Sequence, residues 1–189
     1  MRDLGVVLDS KLSFGPHISQ LVSRSFLQLC RIKSCVRALP MDVGKAVVNS
    51  FVIYRVDYCN SLLAEVPQFQ LDRLQSVLNT AAQLLVGAKK HDHIKHVLRD
   101  CLHWLRVPQR VQFKLCLLTF KALHGLAPPY IADLCWPVTS VGSRQRLRSA
   151  TRGDLVVSSS ATHFGSRAFA VAGPKAWNQL HHLHNVKPD

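Results

Sequence analysis

Arg144, Arg146, Arg148 and Arg152 follow one another in a stretch with no acid until Asp154. Guanidinium groups at that density suit a polyanion, because each can make bidentate, charge-assisted hydrogen bonds to phosphate and a flexible basic segment can follow a phosphate backbone. The other reading of the same residues is a solvated linker with a basic bias. A second cationic set, Arg24, Arg31, Lys33 and Arg37, alternates with apolar residues at helical spacing. It predicts a basic amphipathic helix, although charges opposite an apolar stripe are also the ordinary composition of a surface helix.

His91, Asp92, His93, His96, Cys101 and His103 place nitrogen, oxygen and sulfur donors close together in the chain, the donor types that bind zinc. Their spacing fits no common zinc module. Asp92 reads as a helix N-cap and His103 as an aromatic partner of Trp104, so no metal and no cofactor is expected. His181, His182 and His184 form a similar group near the end of the chain and read as an exposed, frayed terminus. No GxSxG, GxxxxGK[ST] or HExxH motif is present, and no close pair of acids could hold two magnesium ions. The expectation is therefore a protein without catalytic residues. Asp57, set between Arg55 and Tyr58 on an apolar helix, predicts a buried structural ion pair, with Tyr58 and Asn60 completing a polar knot.

These side chains belong to 189 residues, 48% hydrophobic and 19% charged. That is enough to bury a core in one domain or two small ones. Lys and Arg number 24 against 11 Asp and Glu, a formal net charge of +13. Residues 137–189 are the most unbalanced, with seven basic and two acidic. The high apolar content disfavours disorder, and no run approaches the roughly 18 apolar residues of a membrane span. Cys30, Cys35, Cys59, Cys101, Cys116 and Cys135 include no CxxC pair, and Met1 to Gly5 lacks the apolar stretch of a secretory signal. Reduced thiols in an intracellular protein, nuclear or cytoplasmic and not secreted, are expected, with Cys30, Cys59 and Cys116 acting as small core hydrophobes.

The elements that position these groups are mainly helical. Leu4 to Asp9 predicts one short strand with no partner strand of comparable strength nearby. Ile18, Val22, Phe26, Leu29, Ile32 and Val36 predict a helix from Pro16 to Leu39, stopped by Pro40. Asp42 is placed as the N-cap of a second helix, which carries Val43, Val47, Phe51 and Tyr54 at helical spacing toward Leu63. A third extends from Pro67 to Val86, closed by Gly87. A short helix from Asp92 to Asp100 precedes a fifth that opens at Pro108 and ends before Gly125. A brief helix from Pro128 to Cys135 leads to 137–153, a Ser- and Arg-rich linker. Leu155 to Val157 then predicts a strand, and Phe164 to Leu180 one or two short helices broken at Gly173-Pro174.

Five ordered segments resemble a known family. They are Leu4 to Phe14 (LGVVLDSKLSF), Arg55 to Leu63 (RVDYCNSLL), Leu102 to Leu105 (LHWL), Phe113 through His124-Gly125-Leu126-Ala127-Pro128-Pro129-Tyr130, and Phe164-Gly165 through Gly173-Pro174-Lys175-Ala176-Trp177-Asn178. In order and spacing they resemble the C-terminal portion of the reverse transcriptase of LINE-type, non-LTR retrotransposons of the jockey-like group, over nearly the whole chain. The resemblance implies residues 1–14 as the end of the palm and primer grip, 15–87 as a helical thumb, 88–136 as further helices packing on it, 137–153 as the linker and 154–189 as a small C-terminal region. It also implies that the catalytic Tyr/Phe-x-Asp-Asp strand lies before this stretch. The chain departs from the family pattern at Lys95-His96, Cys101 and Arg106, and in having Gln179-Leu180-His181-His182 after Trp177-Asn178. Substitutions of that kind imply an element copy free of selection for polymerase activity.

The fold expected is thus mainly α, a thumb-like bundle with a short N-terminal strand and a less regular C-terminal region. The function expected is a non-catalytic part of an RNA-directed DNA polymerase. It would bind RNA or an RNA/DNA hybrid through Arg144, Arg146, Arg148 and Arg152, and secondarily through Arg24, Arg31, Lys33 and Arg37. The alternative is a protein-interaction module that uses exposed apolar helix faces.

Overall fold

The computed structural model describes residues 1–89, 92–162 and 165–184, with side chains as far as Leu180. It is mainly helical, with a two-stranded antiparallel sheet at the N-terminus. Two compact units part inside the fifth helix, at Arg110 and Val111. Residues 88–110 thus group with the first unit, and 111–136 with the second, on the same side of the division as 137–153.

The first unit opens with β1 (Arg2–Asp3) and β2 (Val6–Val7), paired Arg2 to Val7 and Asp3 to Val6. The expected strand is thus one arm of a hairpin whose partner is the N-terminus itself. Leu4 and Gly5 turn it with φ of 42° and 85°, the mirror-image turn that matches strand twist. A positive φ is unfavourable for leucine, and the Tyr58 hydroxyl holds the turn by donating to the Leu4 carbonyl at 2.8 Å. Asp9 then shapes the approach to the first helix. Its carboxylate accepts from the Ser13 and Phe14 amides at 3.0 Å and from the Ser13 hydroxyl at 2.9 Å. Those bonds, the Ser13 amide foremost, hold its pKa below the usual carboxylate value.

Helix α1 (Gly15–Ala38) buries Ile18, Leu29, Ile32 and Val36 against α4 (Gln68–Val86), which contributes Leu74, Val77, Leu78 and Ala81. Both helices begin and end close to their expected boundaries. Gly87, at φ 67°, caps α4 as the Ala88 amide reaches back to the Gln83 carbonyl at 3.0 Å. Between them lie α2 (Met41–Val48), a π turn (Asn49–Ile53), α3 (Tyr54–Asp57) and a 3-10 turn (Asn60–Leu63).

The second helix departs from the sequence pattern in two respects. Asp42 does not cap it: the first helical bond runs from the Gly44 amide to the Pro40 carbonyl, and no side chain caps the end. The buried residues are Gly44, Val48, Val52, Ile53 and Val56, while Val43, Phe51 and Tyr54 are exposed. The buried stripe is rotated by one residue, about 100°, from the stripe of Val43, Val47, Phe51 and Tyr54. Both stripes have helical spacing. Gly44 decides between them, since a Cβ there would already stand 3.3 Å from Leu85 Cδ2 and 3.5 Å from Val36 Cγ1, so the glycine permits the closest approach.

The expected short helix after α4 is present but begins later and is largely of π type: Lys95 and His96 are α-helical and lead into a π turn (Val97–Cys101), with the Leu98 amide on the Ile94 carbonyl at 3.0 Å. Asp92 does not cap it; its carboxylate closes a turn by accepting from the Lys89 amide at 2.7 Å. Leu102 and Trp104 enter the core, whereas His103, at φ 54°, is exposed and does not pair with Trp104.

In the second unit, α5 (Val107–Leu123) is followed by α6 (Pro129–Ala132), which is shorter than expected. Residues 137–153 are not a flexible linker. They fold into two 3-10 turns (Val138–Ser140 and Gly142–Arg144) and α7 (Arg148–Thr151), with Val138 and Ala150 buried. An antiparallel bridge from Pro137 to Leu155 closes the loop at its base, and Leu155 to Val157 forms no strand beyond it. A 3-10 turn (Gly165–Arg167) precedes α8 (Phe169–His184), a single helix that carries Pro174 in its interior. The expected break does not occur, because burial of Ala172, Gly173, Pro174 and Ala176 offsets the hydrogen bond proline cannot donate. Gly173 is required for contact: a Cβ there would lie 2.8 Å from the Phe169 ring and 3.0 Å from Thr119 Oγ1 of α5.

Trp177 packs on the small core of Ala122, Cys135 and Leu155. Asn178 pins Leu155 on both sides, accepting from its amide at 2.8 Å and donating to its carbonyl at 2.9 Å. Of the six cysteines, all free, Cys116 and Cys135 are buried and Cys30, Cys35 and Cys101 are exposed. Cys30 is thus not the core residue expected, and Cys59 is half-buried at a left-handed position, φ 52°, after α3.

Candidate nucleic-acid interface

The four loop arginines do not share one environment. Arg144 ends a 3-10 turn, Arg146 follows it and Arg148 opens α7, and all three side chains are exposed. No acid occurs between Asp133 and Asp154. Arg152 is different. Its Nη2 lies 2.6 Å from Asp154 Oδ2, with the Asp154 side chain only 6% exposed. Asp154 Oδ1 and Arg152 Nε have no other partner, so the pair depends on itself to offset desolvation. Arg152 braces the loop internally, so unlike the other three its guanidinium is already engaged by a carboxylate. The signal was present in the sequence, since Asp154 stands two residues away.

On α1, Arg24, Arg31, Lys33 and Arg37 are all exposed, but they do not form one face. At 100° per residue, Arg24 and Arg31 nearly coincide, while Lys33 lies roughly 160 to 180° and Arg37 roughly 120 to 140° away around the axis, with the buried stripe between Arg24 and Lys33. A single flat ligand cannot meet all four. Arg24 instead shares a recess of about 200 Å³ with Arg55, His17 and Tyr58. Arg55 was missed because its neighbour Asp57 offered it a partner. The structure gives Asp57 to Arg110, with Arg110 Nη1 2.6 Å from Asp57 Oδ2 and side-chain exposures of 14% and 29%. Asn60 adds a weak bond to Asp57 Oδ1 at 3.4 Å. The expected ion pair exists but is half-buried rather than buried, Tyr58 stands outside the expected knot with its hydroxyl on the Leu4 carbonyl, and Arg55 is left to the recess.

His17 contributes no charge to this recess at neutral pH. Burial pushes its pKa below the usual value, and its Nδ1 accepts from the Val7 amide at 3.3 Å, which needs the neutral ring. The remaining histidines assemble no site that can be described. His93, His96 and His103 are exposed, His91 lies outside the described residues, and so do the side chains of His181, His182 and His184. Among the described residues no three His, Cys, Asp or Glu side chains come together as metal ligands. No helix among them is long and apolar enough to cross a membrane.

No family model, no curated protein and no solved structure matches this chain. Chemically, the arrangement offers exposed guanidinium groups held on folded turns, with their backbone already ordered. Such groups bind anions at a lower entropic cost than a disordered tail would.

Proposed function

We propose that this chain is a non-catalytic thumb and C-terminal part of a LINE-type RNA-directed DNA polymerase, and that it binds RNA or an RNA/DNA hybrid through its basic surface. The observation that carries the reading is the exposure of Arg144, Arg146 and Arg148 on an ordered, acid-free loop of a chain with net charge +13. Arg24 and Arg55 make the second contact region. DNA synthesis would reside in carboxylates outside these residues. The family origin rests on the five ordered segments. Within those segments Tyr58 holds the hairpin, Asp57 pairs with Arg110, and Asn178 pins Leu155.

The test is a salt series of binding to labelled RNA, RNA/DNA hybrid and duplex DNA by the folded full chain. Steep salt dependence with preference for RNA or hybrid is expected, and weak, indiscriminate binding overturns the proposal. A second reading is favoured by one observation. Val43, Phe51 and Tyr54, with exposures of 47%, 45% and 68%, leave an apolar stripe on the outer side of α2 and α3. A protein-interaction role through this stripe predicts self-association or partner capture that persists in high salt, where charge is screened.

A further inference from the structure

A cleft of about 630 Å³ opens in the first unit between α4 and residues 94–109. It falls in the size range of small-molecule pockets, roughly 300 to 1,000 Å³. Its surface is mostly apolar; Trp104 and Leu98 line it together with Lys95, Arg99 and Arg106, and no carboxylate does. Asp100 neutralises Arg99 from outside at 2.6 Å, which leaves Lys95 and Arg106 as the active cations.

The amides in the cleft have a fixed polarity. The Val107 amide donates to Gln75 Oε1 at 2.9 Å, so the other end of Gln75 is its NH₂, which donates to Asn79 Oδ1 at 2.9 Å. Asn79 therefore presents its NH₂ to the cleft. In the same way the Arg106 amide donates to Gln109 Oε1 at 3.1 Å and leaves Gln109 with a free NH₂. Backbone N–H groups cannot reverse, so both amides are set as donors. The start of α5, with its positive dipole end, adds to the same potential.

A ligand for this cleft must be anionic where it meets Lys95 and Arg106, apolar where it meets Trp104 and Leu98, and supplied with acceptors for Asn79 and Gln109. A fatty acid has the first two properties but no acceptor in its chain for the half-buried Asn79 or the exposed Gln109. Inorganic phosphate is far smaller than the space. We propose that the cleft binds one nucleotide, its phosphate on Lys95 and Arg106 and its base carbonyls on Asn79 and Gln109. The nucleotide is either free or one residue of a single strand. This site is separate from the Arg144 loop and does not require it.

The experiment is calorimetric titration of the full chain with uridine monophosphate, ribose 5-phosphate and a short oligouridylate. One equivalent of uridine monophosphate or oligouridylate is expected to bind. Lys95→Ala with Arg106→Ala is expected to weaken binding roughly tenfold or more, since charge-assisted bonds are lost. Asn79→Ala should weaken it less and should reduce the preference over ribose 5-phosphate. Binding of the mononucleotide identifies a free ligand as sufficient; binding of the oligouridylate alone, weakened by Lys95→Ala with Arg106→Ala, identifies a strand held in the cleft. Binding of neither, equal binding of ribose 5-phosphate, or affinity unchanged in the double variant overturns the proposal. Both substituted cations are exposed, so the variant folds, and the indole resonance of Trp104 checks it. In Arg144→Ala with Arg146→Ala and Arg148→Ala the oligouridylate arm is expected to weaken through loss of the loop, whereas the uridine monophosphate arm reads the cleft, so the cleft and the loop stand or fail separately.

Discussion

Replacing Arg144, Arg146 and Arg148 together by alanine should flatten the salt dependence of RNA binding by a calculable amount. Each phosphate contact contributes about 0.7 to the logarithmic salt slope on single strands and about 0.9 on duplex, so three lost contacts remove about 2 to 2.7. Arg152→Ala should remove nothing from that slope, because its guanidinium already faces Asp154 at 2.6 Å. Its cost falls on stability. Asp154 is left charged in a side-chain environment only 6% exposed, and breaking a buried pair by removing one partner costs about 3 to 5 kcal/mol, fewer where one partner is a third exposed, as here. The assay is fluorescence anisotropy of labelled RNA across a series from about 50 to 200 mM salt, with urea unfolding of each variant alongside. A triple variant with the parental slope would refute the loop as the contact. A slope reduced by Arg152→Ala alone, in protein that unfolds like the parent, would refute the division between brace and grip.

Asn178→Ala should destabilise the second unit by about 1 to 3 kcal/mol, because the amide and carbonyl of buried Leu155 both lose their partner; Trp136 and Trp177 fluorescence in urea reads it, and an unchanged midpoint would contradict the pinning role. His17 has a depressed pKa in the folded chain, so the unfolded chain takes up the proton first. Stability is then full above about pH 6.5 and declines as pH falls toward the lower folded value, a dependence His17→Leu should abolish in urea titrations at several pH values. Cys30, Cys35 and Cys101 should alkylate readily in native protein. Cys116 and Cys135, buried and with thiol pKa values raised by that burial, should react only on unfolding, as mass spectrometry of the labelled chain can check.

The sequence by itself determined the long helices. Pro40, Pro67, Gly87, Pro108 and Gly125 mark their ends through local backbone chemistry, and α1, α4 and α5 run close to where those residues place them. It also determined the basic charge, the arginine-dense segment and the acid at Asp57 that needed a cation. Tertiary structure decided what local pattern left balanced. Two helical stripes on α2 differ by one residue, and only the close approach at Gly44 to Val36 and Leu85 selects the inner one. Asp57 could pair with its neighbour Arg55, but the fold brings Arg110 to it from the start of α5. Pro174 signals a break, yet burial on both sides carries α8 through it. Polar Gln75 and Asn79 carry no sign in the sequence, and their direction follows from one backbone amide, that of Val107, thirty-two residues along the chain from Gln75. Turn and cap signals act between adjacent residues and can be read there; which face is buried and which charge is left free depend on partners that only folding brings near.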